Sequence, residues 1–258
     1  MFEFSIIIND EFSLAAKNLY EEIKSTVCNF GAVVTSFSER NEIHIVIACQ
    51  DVEKNRISFF ITDAISNFIA EEYKLKFIKN NLKISLHNQL NLNALIKAMV
   101  AFDKETDKYI VSRSLIVKDN LVIESFYNFK LKKLRSKWME LIKLTNENSG
   151  YLLCNDTFID LLKFLIDNIE ITKELVNVIY DGKSYKICDE NFQEIQKSIS
   201  NQQENEGLEA LLVTSLIELS PKKINVYCEL DESSDVLSLI SQIFDKRVNI
   251  LPHCLMQN

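Results

Sequence analysis

Apolar residues recur along this chain at two spacings, and the switches between them mark out its elements. Residues 208–251 show this most completely. Leu208, Leu211, Leu212, Leu216 and Leu219 keep helical spacing until Pro221 stops the helix, and the alternating Ile224, Val226 and Cys228 then predict a strand. Asp231, Ser233 and Ser234 offer side-chain oxygens to the first amides of a second helix, whose inward stripe is Val236, Leu237, Leu239, Ile240, Ile243 and Phe244. Lys246 and Arg247 close that helix where its dipole favours positive charge. Val248, Ile250 and Leu251 predict a last strand, so residues 224–251 read as a β-α-β unit with parallel strands.

The same reading extends upstream. Residues 2–8 predict a strand, and residues 10–30 an amphipathic helix with Phe12, Ala16, Leu19, Ile23 and Val27 on one stripe, ended by Gly31. Strands over 32–37 and 42–49 follow, joined by Ser38-Glu39-Arg40-Asn41. Ile43, Ile45, Ile47 and Cys49 share one face of the second, and Glu42 and His44 the other. A helix is predicted over 51–80. Residues 91–148 read as helical throughout, with breaks near 103–107 and 118–120 and the longest helix over 122–144; another helix follows Gly150. Asp181-Gly182 is a type I′ turn pair that sets Tyr180 opposite Lys183, Val178 opposite Tyr185 and Val176 opposite Ile187. Val176, Val178, Tyr180, Tyr185 and Ile187 then share one face, with Asn177, Ser184 and Lys186 on the other. Residues 198–206 read as a linker, and the hairpin is expected to join the two later strands in one mixed sheet. The expected class is α+β: an N-terminal β-α-β-β module over residues 1–50, a helical middle over 51–170, and a C-terminal β-hairpin plus β-α-β mixed sheet over 171–258.

Composition sharpens this picture. Four Gly and two Pro in 258 residues leave few turn formers, which favours long helices and argues against an all-β architecture. The hydrophobic fraction of 47% is ample for a buried core. A formal net charge of −8 repels nucleic acid and anionic membrane over most of the surface, so such binding would be local. No apolar run approaches a membrane span and no basic stretch precedes an apolar one near Met1, so the expectation is a cytoplasmic protein with no membrane span. The six cysteines form no C-x-x-C pair, and buried, reduced thiols account for them.

Candidate chemistry is sparse. No phosphate-binding glycine loop, nucleophile elbow or zinc-protease helix is present. His44 and Glu42 share a strand face as an acid-base pair would, or as solvated neighbours do. His253 and Cys254 with Cys228 fall short of a usual metal ligand set. Asp156, Asp160 and Asp167 share a helix face, which suits a divalent cation or simply water. Glu229, Asp231, Glu232 and Asp235 occupy the loop at the C-terminal edge of the parallel strands, where ligands bind in such sheets, and also serve as helix caps. No cofactor, metal or catalytic residue is indicated.

Charge departs from the acidic whole in one helix, residues 126–143, FYNFKLKKLRSKWMELIK. Lys130, Lys133 and Lys137 fall on one side with Arg135 beside them, while Phe126, Phe129, Leu134, Trp138 and Leu141 supply an apolar stripe. This could engage phosphates or an acidic protein surface, or balance neighbouring acidic helices.

The block Tyr127-Asn128-Phe129-Lys130-Leu131-Lys132 within that helix resembles a helix opening of the YtxC-like family of sporulation proteins of endospore-forming bacteria. The run Ser215-Leu216-Ile217-Glu218-Leu219-Ser220-Pro221-Lys222-Lys223-Ile224, followed by the β-α-β unit, resembles that family's C-terminal part. The resemblance covers most of the chain and implies a process, sporulation, without a reaction. With catalytic motifs lacking, the expectation is a non-enzymatic cytoplasmic interaction protein with a protein partner, acting through Lys130, Lys133, Arg135 and Lys137. Two alternatives stay open: a nucleic-acid-binding module using helix 126–143, and an enzyme of unrecognised type with its site at loop 229–235.

Overall fold

A computed structural model of the chain describes residues 1–84, 89–147, 155–180, 184–199, 207–228 and 235–252. In chain order the elements begin with β1 (Phe2–Asn9), α1 (Ser13–Val27), β2 (Val33–Glu39), β3 (Glu42–Cys49) and α2 (Lys54–Phe68). A π-helical turn, Ile69–Tyr73, leads into α3 (Lys74–Asn81), followed by α4 (Gln89–Ala101) and α5 (Lys104–Ser114). Next come β4 (Asn120–Val122), α6 (Ile123–Lys130), α7 (Lys132–Glu147) and α8 (Asn155–Asp167). The last group is β5 (Lys173–Tyr180), β6 (Tyr185–Cys188), β7 (Glu194–Ile199), α9 (Leu208–Leu219), β8 (Pro221–Cys228), α10 (Asp235–Phe244) and β9 (Val248–Pro252). The class is α+β, with N-terminal strands, a helical middle and a C-terminal mixed sheet. The chain divides into two compact units, Met1–Asn81 with Lys104–Lys143, and Leu82–Asp103 with Leu144–Asn258.

In the first unit the strands run in the order β2-β3-β1-β4. β1 and β2 pair antiparallel with β3, and β4 pairs parallel with β1. β4 is an addition to the expected three strands: it occupies three residues beside a helix break, too short to leave a period of its own. Alternation turns Phe4, Ile6, Ile8, Ile45 and Ile47 to one face, where they are buried in one core with Ala16, Leu19, Ile23 and Val27 of α1. Gly31, at φ 73°, takes the left-handed conformation that lets the chain turn from the helical segment into β2. The π turn inserts one residue into the helical phase and so rotates the succeeding helix, α3, by about 100°. Tyr73 and Lys74 consequently face the interior.

In the second unit the order is β7-β6-β5-β8-β9, with β5, β8 and β9 mutually parallel and β6 antiparallel to both its neighbours. The hairpin and the two later strands therefore do share one mixed sheet. β7 is a further strand and claims Ser198 and Ile199 from the expected linker, whose remaining residues lie outside those described. The hairpin register differs from expectation. Tyr180 stands opposite Tyr185 and Val178 opposite Ile187, a slip of two residues, and the Asp181-Gly182 turn lies outside the described residues. Because side chains alternate with a period of two, this slip preserves the expected faces. Val176, Val178, Tyr185 and Ile187 are buried, as are Ile224 and Val226 beside them. The stripe of α10 is buried as the spacing predicts, and α10 packs on α8 while α9 packs on α4. On the other face three in-register asparagines form a ladder. Asn249 Nδ2 donates to Asn225 Oδ1 (3.3 Å), Asn225 Nδ2 to Asn177 Oδ1 (3.2 Å), and Asn177 Nδ2 to the Asp189 carbonyl (2.7 Å).

Candidate interaction site

The basic stretch is two helices with a break between them, where continuous helical spacing predicts one. Leu131, at φ −100° and ψ 29°, leaves helical geometry and ends α6. No Gly or Pro stands there, so the cause is tertiary. Leu131 is buried among the core residues of the first unit. Arg135, one turn into α7, reaches back: its Nη2 donates to the Asn128 carbonyl at 2.7 Å and its Nη1 contacts Asn128 Oδ1 at 3.4 Å. A cation thus caps the Asn128 backbone carbonyl at the C-terminal end of α6. Asn128 Nδ2 in turn donates to Glu124 Oε1 (2.9 Å), and the Tyr73 hydroxyl donates to Glu124 Oε2 (3.2 Å). The Arg135 guanidinium lies over the Tyr127 ring, 5.1 Å from its centroid, and that ring packs against Tyr73 and Trp138.

Both phenols are raised from their ordinary value. Burial pushes Tyr127 up to about 12, against the pull of Arg135. Burial raises Tyr73 as well, helped by the Glu124 carboxylate. Both hydroxyls keep their protons at neutral pH, so Tyr73 remains a donor.

Lys137 turns the other way, to Asp107. Its Nζ lies 2.7 Å from Asp107 Oδ1, while Lys74 Nζ and Trp138 Nε1 donate to Oδ2 at 2.7 and 2.9 Å. Asp107 and Lys74 are buried, at 0% and 1% exposure. A carboxylate taking three donors, two of them cationic, resists exchange with water.

The sequence-predicted site residues therefore divide. Arg135 and Lys137 are engaged by the protein itself, and Tyr127, Asn128 and Leu131 build the joint. Lys130, Lys132 and Lys133 are exposed. Phe129, placed on the apolar stripe by spacing, instead stands 73% exposed among them, because the face that α6 buries is Ile123, Phe126 and Tyr127, about 110° away around the helix. The motif thus builds a rigid knuckle that presents one aromatic ring and three amines. Pro221 opens β8 and is buried, directly after Ser220 ends α9 in left-handed geometry, so the C-terminal motif is a helix-to-strand turn. Sequence reasoning missed Glu124, Asp107, Tyr73 and Lys74; the π turn that places the last two leaves no mark in the apolar spacing.

Among the described residues the other candidates assemble no chemistry. His44 Nε2 stands 3.7 Å from Glu42, and its ring lies flat against Phe37. Asp156, Asp160 and Asp167 are exposed, Asp167 being paired with Arg247. Cys49, Cys188 and Cys228 are buried as expected, while Cys28 is exposed; burial raises the thiols of Cys49 and Cys188. His87, Cys154, His253, Cys254 and residues 229–234 of the acidic loop lie outside the described residues. Among the described residues no group of three or more His, Cys, Asp or Glu could hold a metal ion, and no helix is long and apolar enough to cross a membrane.

No curated protein and no solved structure matches the chain. The model of the YtxC-like family matches residues 47–249. That span runs from β3 to β9 and includes both the knuckle and the α9–β8 turn, and it shows that this chain belongs to the YtxC-like family.

Proposed function

We propose that this chain is a non-enzymatic interaction protein of the sporulating cell's cytoplasm, docking an acidic protein partner through the α6–α7 knuckle. The sporulation assignment rests on the family resemblance. One observation carries the docking assignment: Phe129 stands in solvent at 73% exposure with the exposed Lys130, Lys132 and Lys133 around it. A rigid aromatic ringed by charge has the make-up of a hot spot: the ring enters an apolar pocket and the amines meet a carboxylate rim. The network beneath makes the display stiff, which lowers the entropic cost of docking.

The test uses the full chain, tagged, in sporulating host cells. Phe129→Ala and the pair Lys130→Glu with Lys133→Glu are compared with the parent for captured partner and spore yield, at low and high salt and with nuclease. A protein partner that survives nuclease is expected, with Phe129→Ala weakening its binding by at least about tenfold. The charge-reversed pair should weaken it further at low salt than at high salt. Unchanged capture and unchanged spore yield in both variants would reject the assignment, and nucleic acid released by salt would replace the partner class.

A further inference from the structure

β2 is an edge strand, hydrogen-bonded on one side only, to β3. Such an edge presents a row of backbone N–H and C=O groups, and natural sheets protect these rows with Lys, Pro, bulges or brevity. β2 uses none of these. It has seven residues, VVTSFSE, pairs with β3 in unbroken register, and carries one charge, Glu39, at its end. Its outward face, Val33, Thr35, Phe37 and Glu39, presents two apolar side chains to solvent, Val33 and Phe37 being 69% and 48% exposed. The Phe37 ring stacks on His44, centroids 4.8 Å apart and planes within 2°. The register continues that row through Ile7 of β1 to Val122 of β4.

We infer that β2 pairs antiparallel with β2 of a second copy, joining two four-stranded sheets into one of eight strands. A two-fold axis through Thr35 sets Val33 of each copy opposite Phe37 of the other and the two Thr35 residues opposite each other, all on the outward face. Moving the axis to Ser36 would set Val33 against Glu39, so the Thr35 register is the complementary one. Charge selects the occupant. At a net charge of −8, copies repel wherever carboxylates meet, yet residues 31–38 carry no charge at all. A strongly basic or acidic strand finds nothing to pair with there, whereas an identical uncharged strand does. This contact is independent of the knuckle.

Sedimentation velocity on the full chain over a concentration series, at low and high salt, tests it. The expected result is a monomer–dimer equilibrium that salt does not weaken, since screening relieves repulsion between acidic copies. Val33→Lys with Phe37→Lys sets lysine against lysine in both pairs and should weaken the dimer by about tenfold or more, with the far-UV circular dichroism spectrum unchanged. Any fall in the melt should be confined to high protein concentration, once the lost stack on His44 is allowed for by comparison with Phe37→Lys at dilute concentration. Thr35→Cys should form a reducible cross-linked dimer under mild oxidation beyond the level of the parent chain, because opposed Cα atoms lie within disulfide reach. A chain that stays monomeric overturns the inference. So does a dimer indifferent to the lysine pair, or one broken instead by Phe129→Ala.

Discussion

Asp107 decides how much of the basic helix is available to anything else. It stands at 0% exposure and accepts from both Lys74 and Lys137. Asp107→Asn keeps the shape and removes the charge that both amines are held by, so stability should fall by about 3 kcal/mol or more in urea denaturation. Lys130→Ala, on the exposed side, should shift stability by less than about 0.5 kcal/mol. The residue-level phenols make a pH prediction of definite sign. Tyr127 is raised to about 12 and Tyr73 is raised too, so the unfolded chain loses these protons first. Their contribution is fully present below about pH 10, the unfolded value, and is lost as pH rises through the folded values. Denaturation midpoints should drop from about pH 9 to about pH 11 in the parent and drop less in Tyr73→Phe with Tyr127→Phe. Ser220 offers the opposite kind of test: it is buried at φ 36°, a conformation costly for any side chain. Ser220→Gly should raise stability by about 1 kcal/mol. None of these roles was legible beforehand. Asp107 falls at the edge of the expected helix break at residues 103–107, and only tertiary packing distinguishes it from Glu105 or Asp63.

Elements were far more legible than residues, and the failures share a cause. Long stretches with a regular period, α1, α2, α9, α10 and the strands β1 and β3, fall where spacing puts them because each buries an apolar face, and β2 follows as the hairpin partner of β3. The break at Leu131 had no local signal, since leucine is a strong helix former. It exists because Arg135 satisfies the Asn128 carbonyl and Leu131 is buried, both tertiary effects that override local propensity. The hairpin slipped by two residues for a similar reason: a turn pair fixes register only if nothing else competes. Here Val176, Asn177 and Val178 also have to match Ile224, Asn225 and Val226 of the parallel neighbour β8. The joint yields an element-scale prediction. Lysine has neither the fork that reaches both Asn128 oxygens nor the planar face that lies on Tyr127, so Arg135→Lys should recover little of the loss in Arg135→Ala. Both should cost about 1 to 3 kcal/mol and lower helical circular dichroism as α6 frays.

At the scale of the molecule, the net charge of −8 and the knuckle pull in opposite directions, and salt separates them. Helix 126–143 carries six basic residues, which as one free stripe would neutralise up to six phosphates. Engagement of Arg135 with Asn128 and of Lys137 with Asp107 removes two of these, and of the remaining four the knuckle holds three, Lys130, Lys132 and Lys133, with Lys143 apart from them near the far end of α7. Binding to double-stranded DNA, if measured as log Kobs against log salt, should therefore give a slope no steeper than about −3. A free stripe of six would give about −5. Acidic surroundings make even the shallow case weak, because every phosphate beyond the knuckle meets repulsion. A measured slope near about −5 would mean that Arg135 and Lys137 leave Asn128 and Asp107 to reach the ligand, and Asp107→Asn should then tighten the binding. A slope of about −3 or weaker, unchanged by Asp107→Asn, leaves the knuckle as the sole basic contact and favours a compact acidic patch on a protein over an extended polyanion.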